Sequence, residues 1–199
     1  MCIRDSTSGL GYSKAIKSTP SPIETVPELW TTVTQDKKLI SHFLALYFCW
    51  EYPCAPVFCK EAFLDDMTHN RTQYCSPLLV NAILALGCNF SDMPEARADP
   101  FDASTKGDHF FAEAKELLYK DDSSSLTTAQ ALALMALREA GCGRESAGFQ
   151  LGGRSMRMAV ELGLHLSLVP NEDLSEGSLS PRDTQARTIT FWGLFNLDT

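Results

Sequence analysis

Residues 126–165 read LTTAQALALMALREAGCGRESAGFQLGGRSMRMAVELGLH, and this stretch decides the fold. Thr127 and Gln130 form a capping-box pattern, in which a hydroxyl and an amide satisfy each other's backbone donors at a helix start. The Ala- and Leu-rich run that follows is typical of a helix and ends at Gly141, because glycine favours helix C-termini. Residues 146–162 repeat the helical spacing of apolar residues. The stretch therefore predicts two consecutive helices joined by a short turn.

The second helix of this pair carries three glycines, Gly148, Gly152 and Gly153, each of which costs about 1 kcal/mol of helix propensity relative to alanine. A close backbone approach to the preceding helix would offset this cost, since that helix also presents small side chains at Ala131, Ala133 and Ala136. We predict that the two helices share an interior without a reactive cleft, and that Gly163 caps the second one. The residues predicted to hold the bundle together, without contacting a ligand, are Gly152, Gly153, Met156 and Trp192.

The other segments show the same helical pattern. A helix is predicted over 36–51, with an inward stripe of Leu39, Phe43, Leu46, Tyr47 and Trp50. Further helices are predicted at 60–67, 78–86, 108–120 and after Ser180-Pro181, the last with Ile189, Trp192 and Phe195 on one face. Polar loops are predicted at 91–107 and 169–179. No segment shows the alternation of a strand with hairpin residues. The sequence thus predicts an all-α fold, a bundle of six to seven helices packed mostly as antiparallel pairs.

The start of the chain differs from the remainder. Prolines, serines and glycines without helical period make residues 1–35 a predicted disordered lead. Residues 1–6, MCIRDS, resemble a translated sequencing-adapter artefact, so we expect the natural protein to continue upstream. Residues 36–199 form the predicted helical domain, which we expect to be truncated at its C-terminus.

The composition argues against several function classes. With 17 basic and 25 acidic residues the formal net charge is −8. No cluster of Lys and Arg is present that would displace counterions from duplex DNA, so this segment is not expected to bind DNA directly. The seven cysteines are odd in number and several lie in apolar helical runs, which favours free thiols in a reducing compartment. No signal-peptide pattern is present, and the longest apolar run, 78–86, is far too short to cross a bilayer.

Two patterns resemble metal sites but lack essential ligands. Cys49, Cys54 and Cys59 are evenly spaced, whereas zinc sites use paired ligands two to four residues apart with a second pair downstream. Asp65 and Asp66 resemble the start of an aspartate-rich magnesium motif, but no carboxylate follows three or four positions later. We interpret the cysteines as structural and the aspartates as a solvated helix end. No metal ligand and no cofactor-binding residue is therefore predicted in this chain.

Two further patterns concern charge. His165 follows Gly163, where a histidine can hydrogen-bond the last carbonyls of a helix and complement its dipole. No nucleophile can be assigned to it, so no catalytic residue is predicted. Arg157 and Glu161 lie one helical turn apart and can form an ion pair worth about 0.2–0.5 kcal/mol. Arg154 lies one turn before Arg157, and an anionic-effector site at these arginines is the alternative to a solvated charged face.

Three motifs resemble the middle regulatory domain of fungal zinc-cluster transcription factors. That domain carries a T-x-Q-A-L-x-L helix, similar to residues 126–134, and then a helix of the G-x-A-x-R-M-A-x-x-L-G-L-H type, similar to residues 148–165. Its later aromatic motif, R-x-x-x-F-W-x-x-F-x-L-D, is similar to residues 187–198. The resemblance covers about residues 38–199 and is greatest to the branch of nitrogen-assimilation activators. The six-cysteine binuclear zinc cluster of this family is absent, since no C-x-x-C occurs in the chain.

The resemblance implies a nuclear transcription-regulatory domain that controls nitrogen-metabolism genes. It implies transcription machinery or regulatory proteins as partners and a small-molecule effector, but no enzyme activity and no membrane. Zinc and DNA would be bound only by an N-terminal region that this chain lacks. Two alternatives remain open. An α-helical repeat scaffold would fit the length of the helix pair at 126–163, and a helical enzyme of the isoprenoid type is disfavoured by the incomplete aspartate motif.

Overall fold

The computed structural model of the protein describes residues 30–168 and 179–198, which form seven α-helices and no β-strand. Most of the predicted disordered lead and of the predicted loop at 169–179 lies outside the described residues. The all-α fold is confirmed, and the predicted helices agree with the observed ones to within a few residues. The helices are α1 (Lys37–Trp50), α2 (Lys60–His69), α3 (Pro77–Gly87), α4 (Asp108–Lys120), α5 (Leu126–Gly141), α6 (Glu145–Glu161) and α7 (Pro181–Asp198).

Helix α3 is the centre of the bundle. Every residue from 78 to 87 is buried, and α1, α4 and α5 pack around it. This arrangement follows from the sequence, because a helix that is apolar on all sides must be covered on all sides. Within the described ranges, no helix has both the length and the apolar character needed to cross a bilayer.

Helix α1 turns most of its predicted stripe inward, with Leu39 and Leu46 partly buried beside the fully buried residues. Its buried residues are Ile40, Phe43, Leu44 and Tyr47. Trp50, predicted to lie on the inward stripe, is 59% exposed and stacks on the ring of Phe90 at the surface. The prediction for Trp50 is therefore wrong, because α1 ends at this residue and its last turn has passed the edge of the core.

The segment before α1 is packed where it is described. Trp30 is fully buried, and its carbonyl oxygen accepts a hydrogen bond from the Asn81 side-chain amide at 3.1 Å. The Thr31 hydroxyl donates to the other end of the same amide group at 2.8 Å. The polar Asn81 in the middle of α3 is thus satisfied by the chain that precedes α1. Trp30 and Thr31, near the end of the predicted lead, therefore pack against α3.

The start of α5 differs from the predicted capping box. The N-cap is Ser125, whose Oγ accepts a hydrogen bond from the backbone amide of Thr128 at 3.1 Å. Thr127 and Gln130 are both buried, and the Thr127 hydroxyl lies 3.3 Å from the Ser125 hydroxyl instead of accepting from the backbone. The Gln130 amide instead donates to the Thr190 hydroxyl in α7 at 2.7 Å. The last of three consecutive serines thus caps the helix two residues earlier than the motif suggested.

The end of α5 is set by Gly143 and not by Gly141, which still belongs to the helix. Gly143 has a φ of 74°, in the left-handed region that glycine adopts without strain. Its amide donates to the carbonyl of Ala140, and the amide of Arg144 donates to the carbonyl of Glu139, both at 2.9 Å. This pair of hydrogen bonds is a Schellman motif, which reverses the chain directly into α6.

Two other helix boundaries confirm the sequence predictions. Gly163, after α6, has a φ of 65°. The Ser180 hydroxyl caps α7 by accepting a hydrogen bond from the backbone amide of Asp183 at 3.1 Å. Both features follow from local chemistry, since glycine tolerates the left-handed conformation and serine satisfies the free amides of a first helical turn.

The close approach of α5 and α6 is centred on Gly148. A methyl group at Gly148 would lie only 3.0 Å from the carbonyl oxygen of Ala136. Further along the pair, the Ser155 hydroxyl donates to the carbonyl of Ala129 at 2.6 Å. Residue numbers rise along α6 as they fall along α5, so the two helices are antiparallel. The predicted shared interior is present, with Gly152 facing α5 as well.

Two of the four residues expected to hold the bundle together do not do so. A methyl group at Gly153 would meet only the guanidinium of Arg157, so this glycine faces away from α5. Trp192 is 48% exposed. The inward face of α7 consists of small and medium side chains instead, namely Ala186, Thr190, Gly193 and Leu194.

The space around Gly87 and Gly141 predicts opposite effects on stability when each is replaced by alanine. At Gly87 a methyl group would clash with the carbonyl oxygen of Phe43, so Gly87→Ala should force α1 and α3 apart and lower the free energy of unfolding by about 1–3 kcal/mol. At Gly141 a methyl group meets nothing within 4 Å, and the higher helix propensity of alanine should leave stability unchanged or raise it by up to about 1 kcal/mol. Urea unfolding of both variants measures the difference. Equal stabilities would contradict this assignment of the helix contact.

Candidate functional site

The three evenly spaced cysteines that were considered as a metal site do not form a cluster. Cys49 and Cys54 are exposed, Cys59 is buried, and all six described cysteines are free thiols. In the described part of the chain, no group of three or more His, Cys, Asp or Glu side chains is placed to hold a metal ion. Burial raises the pKa of the Cys88 thiol to about 12, which keeps it protonated and inert. These residues do not fit a binuclear zinc cluster.

The Asp65-Asp66 pair has a structural role that the sequence did not indicate. Asp66 is buried, and its carboxylate accepts hydrogen bonds from the Tyr74 backbone amide at 2.7 Å and the Arg71 Nε at 3.0 Å. The interpretation of both aspartates as a solvated helix end is therefore wrong for Asp66. A buried carboxylate with these partners is well compensated, which explains how Asp66 can lie inside the protein although α2 ends at the surface three residues later.

Arg182, in the first turn of α7, reaches the same carboxylates from the other side. Its Nη1 lies 2.6 Å from Oδ2 of Asp65, and its Nη2 donates to the carbonyl of Ala62 at 3.2 Å. The guanidinium also lies over the Tyr74 ring, 5.1 Å from the ring centre. The bond from Arg182 is the main reason why the pKa of the Asp65 carboxyl is below its ordinary value.

Asp183 completes this contact between α2 and α7. Its carboxylate accepts hydrogen bonds from the Ser180 hydroxyl, the Tyr74 hydroxyl and the Gln73 amide. These bonds, chiefly those from Ser180 and Tyr74, lower the pKa of the Asp183 carboxyl. Burial and the neighbouring carboxylate raise the pKa of Tyr74 to about 12, so the phenol stays a donor. We call this cluster the α7 joint, defined by Asp65, Asp66, Tyr74, Arg182 and Asp183.

The middle and far end of α7 are held by different contacts. Thr190 is fully buried and accepts the hydrogen bond from Gln130 in α5. At Gly193 the helix backbone passes so close to Pro56 and Val57 that a methyl group would clash with their main chain. Thus α7 is positioned by charges at its start, by one buried hydrogen bond in its middle, and by shape near its end.

The charged residues on α6 do not pair as predicted. Glu161 accepts a hydrogen bond from the Ser124 hydroxyl at 2.8 Å, and Arg154 lies 3.0 Å from the Asp122 carboxylate. Arg157 has no ion pair or hydrogen bond with any described residue. The expected Arg157–Glu161 pair is therefore wrong, because Glu161 turns toward the loop before α5.

His165 lies in the 3-10 helix Leu164–Leu168, which follows α6. Its imidazole is 6.5 Å from the Phe191 ring, measured between ring centres. The buried Nδ1 has no hydrogen-bond partner among the described residues. Among the described residues, its neighbours are those of a packed side chain between α6 and α7.

We expect the α7 joint to weaken on acidification. Because the pKa values of Asp65 and Asp183 lie below 3.8 in the folded chain, their stabilising effect is present above that pH and is lost as pH falls through the lowered pKa values. Arg182→Gln removes the main partner of Asp65, so its melting temperature should fall less than the parent's between about pH 5 and pH 2. Circular dichroism measures both melts.

Arg154→Gln is the matched control, since its partner Asp122 is exposed on another face. This variant should keep the parent's full acid dependence. If Arg182→Gln and the parent lose the same stability over this range, the joint does not contribute in the way described.

Comparison with known proteins confirms the resemblance seen in the motifs. Residues 44–199 match the family described as "Fungal specific transcription factor domain". The chain is 53% identical over 173 residues to the nitrogen assimilation transcription factor nirA of Emericella nidulans, which covers 85% of the chain. It is 47% identical over 179 residues to the nitrogen assimilation transcription factor nit-4 of Neurospora crassa, again over 85% of the chain.

A more distant relative is the activatory protein CHA4 of Saccharomyces cerevisiae, 30% identical over 177 residues, with 80% of this chain and 26% of the relative covered. The chain spans only 19% of the length of nirA and 16% of that of nit-4. No solved structure matches the chain significantly. Since the family match extends over most of its residues, this chain belongs to the fungal-specific transcription factor domain family.

Proposed function

We propose that this chain is part of the regulatory domain of a nuclear transcription factor that controls nitrogen-assimilation genes. The observation that carries the proposal is the 53% identity to nirA over 173 residues. The similar identity to nit-4 supports the same assignment. Its partners would be regulatory proteins or the transcription machinery, because transcription factors act through such contacts.

The physical means of regulation would be a change in the packing of α7. Only four of its residues are buried, namely Ala186, Thr190, Gly193 and Leu194, so its attachment depends strongly on the polar α7 joint. A small-molecule effector or a partner shifts such an equilibrium only by its different affinity for the two packings. The joint is a suitable element for this purpose because it connects segments from both halves of the domain.

DNA and zinc binding would belong to another part of the parent protein. The chain has a formal net charge of −8, which opposes binding to a phosphate backbone. Its cysteines do not fit the six-cysteine cluster that the family resemblance implies. We therefore assign this segment a regulatory role and no enzymatic one.

A helical repeat scaffold is less well supported. Repeat proteins stack units of one length, whereas the helices here range from 10 residues in α2 to 18 in α7. The α5–α6 pair has no second copy in the sequence, and α3 is enclosed as a single central helix. These features favour one closed bundle.

A domain exchange tests the proposal. The matching segment of nirA would be replaced by residues 30–199 of this chain in an Emericella nidulans strain that lacks its own nirA. If the two segments have the same function, transcript levels of the nirA-dependent nitrogen-assimilation genes should recover to within about tenfold of the levels in the parent strain. Quantitative measurement of these transcripts, with and without the inducing nitrogen source, gives the result.

Two controls make the outcome interpretable. The same exchange with Gly87→Ala should reduce transcript levels through instability, and the exchange with Gly141→Ala should not. A chimera that accumulates to normal levels, enters the nucleus and still leaves these genes uninduced would refute the proposed function.

A further inference from the structure

The outward face of α6 is apolar and has no partner in the described part of the chain. Phe149 is 79% exposed and Val160 is 49% exposed, with Gly153 and the partly buried Met156 between them. The spacing of four, three and four residues places all of them on one side of the helix. The side that packs inside the bundle, with Gly148, Ser155 and Ala159, lies about 100° round the helix, because each of these residues directly precedes a residue of the exposed apolar face. Helix α6 is therefore apolar on two faces, of which one is covered.

Gly153 lies at the centre of this outward face and leaves a notch in it. Its cost of about 1 kcal/mol in helix propensity is not offset by packing within the bundle, because a methyl group there would meet only the Arg157 guanidinium, 3.2 Å away. A shallow groove runs past the notch along Phe149, Met156 and Arg157. Beside it a cleft of about 170 Å³ opens between α5, α6 and α7, and Phe149 borders both. A second helix crossing at the notch could bring its backbone close to α6.

The charge of this face distinguishes between possible occupants. Arg154 and Arg157 border the groove, and Arg157 has no ion pair with any described residue. Asp198, at the end of α7, is the acidic residue on the rim. Arg154 is already paired with Asp122, so the charge that favours an acidic ligand is that of Arg157, beside the exposed ring of Phe149. A second copy of the chain, crossing at the same notch, would bring these arginines against their own counterparts.

We propose that the outward face of α6, formed by Phe149, Gly153, Arg154, Met156, Arg157 and Val160, is a docking surface for an acidic amphipathic helix of a partner protein. The apolar side of that helix would cover Phe149, Met156 and Val160, with a small residue or a turn of its backbone at Gly153. Its carboxylates would pair with Arg157, while Arg154 stays paired with Asp122 at the rim. The proposed docking surface follows from the geometry of α6 and does not depend on which genes the protein controls.

The proposal is tested with a defined peptide and the full 199-residue chain. The probe is a fluorescein-labelled peptide of about 16 residues, with Leu and Phe at positions i, i+3, i+4 and i+7 and Glu at the remaining positions. Fluorescence anisotropy should show saturable binding of this peptide. A second peptide with Lys in place of every Glu should bind at least about tenfold more weakly, because it would face Arg154 and Arg157 with like charge.

Variants of the chain locate the binding face. Phe149→Ala and Arg157→Glu should each weaken binding of the acidic peptide by about tenfold or more. The matched controls are Phe101→Ala, since Phe101 is 97% exposed elsewhere, and Lys120→Glu, an exposed charge reversal on α4. Both controls should bind as the parent does. All four sites are on the surface, and circular dichroism verifies that each variant keeps its fold.

Three outcomes would overturn the proposal. The first is equal binding of the Glu and Lys peptides, and the second is unchanged binding by both Phe149→Ala and Arg157→Glu. The third is dimerisation of the chain, seen by sedimentation velocity, that Phe149→Ala abolishes, since a second copy would then occupy the face. Because none of these measurements involves gene expression, they can fail while the proposed function holds, and the reverse is also possible.

Discussion

The close approach of α5 to α6 sets the geometry of the second half of the bundle. With no side chain at Gly148, the α6 backbone can lie against Ala136, and the Ser155 hydroxyl fixes the register by bonding to the Ala129 carbonyl. Dense packing of this kind leaves few alternative arrangements. The two helices then form one platform, from which the Gln130 amide holds α7 through Thr190. A change that separated α5 from α6 would therefore also displace α7.

Local chemistry allowed much of the fold to be predicted. The periodicity of apolar residues located the helices, and proline with serine located the starts of α3 and α7, because these signals act within one or two turns. The same reasoning misjudged the buried face of α7. Trp192 was expected inside because it shares a face with Ile189 and Phe195, but the backbone of α7 lies against Pro56 and Val57 at Gly193, where only small side chains fit. The low helix propensity of glycine indicated that the glycines of α6 have a packing role. Propensity alone did not distinguish Gly148, which contacts α5, from Gly153, which does not.

The α7 joint could not be predicted from one sequence. Tyr74 and Asp183 are 109 positions apart, and nothing in the local sequence of either residue specifies the other. In the sequence, Asp65 and Asp66 were compared with a magnesium-binding motif, and their ion pairs were not predicted. Their partner Arg182 lies 117 positions away from Asp65, so no local pattern connects them. The burial of Trp30 was not predicted for a similar reason, because its hydrogen-bond partner Asn81 lies 51 positions away in α3. The family, in contrast, was recognisable because its motifs are local runs of core and cap residues.

The two ends of α7 differ in how they respond to the medium. The ion pair at its start is partly open to water, with about 41% of the Arg182 side chain and 36% of the Asp65 side chain accessible, so dissolved salt screens it. The contact of Gly193 with Pro56 is steric and is indifferent to ionic strength. Rising salt therefore weakens the attachment of the start of α7 and leaves that of its far end unchanged.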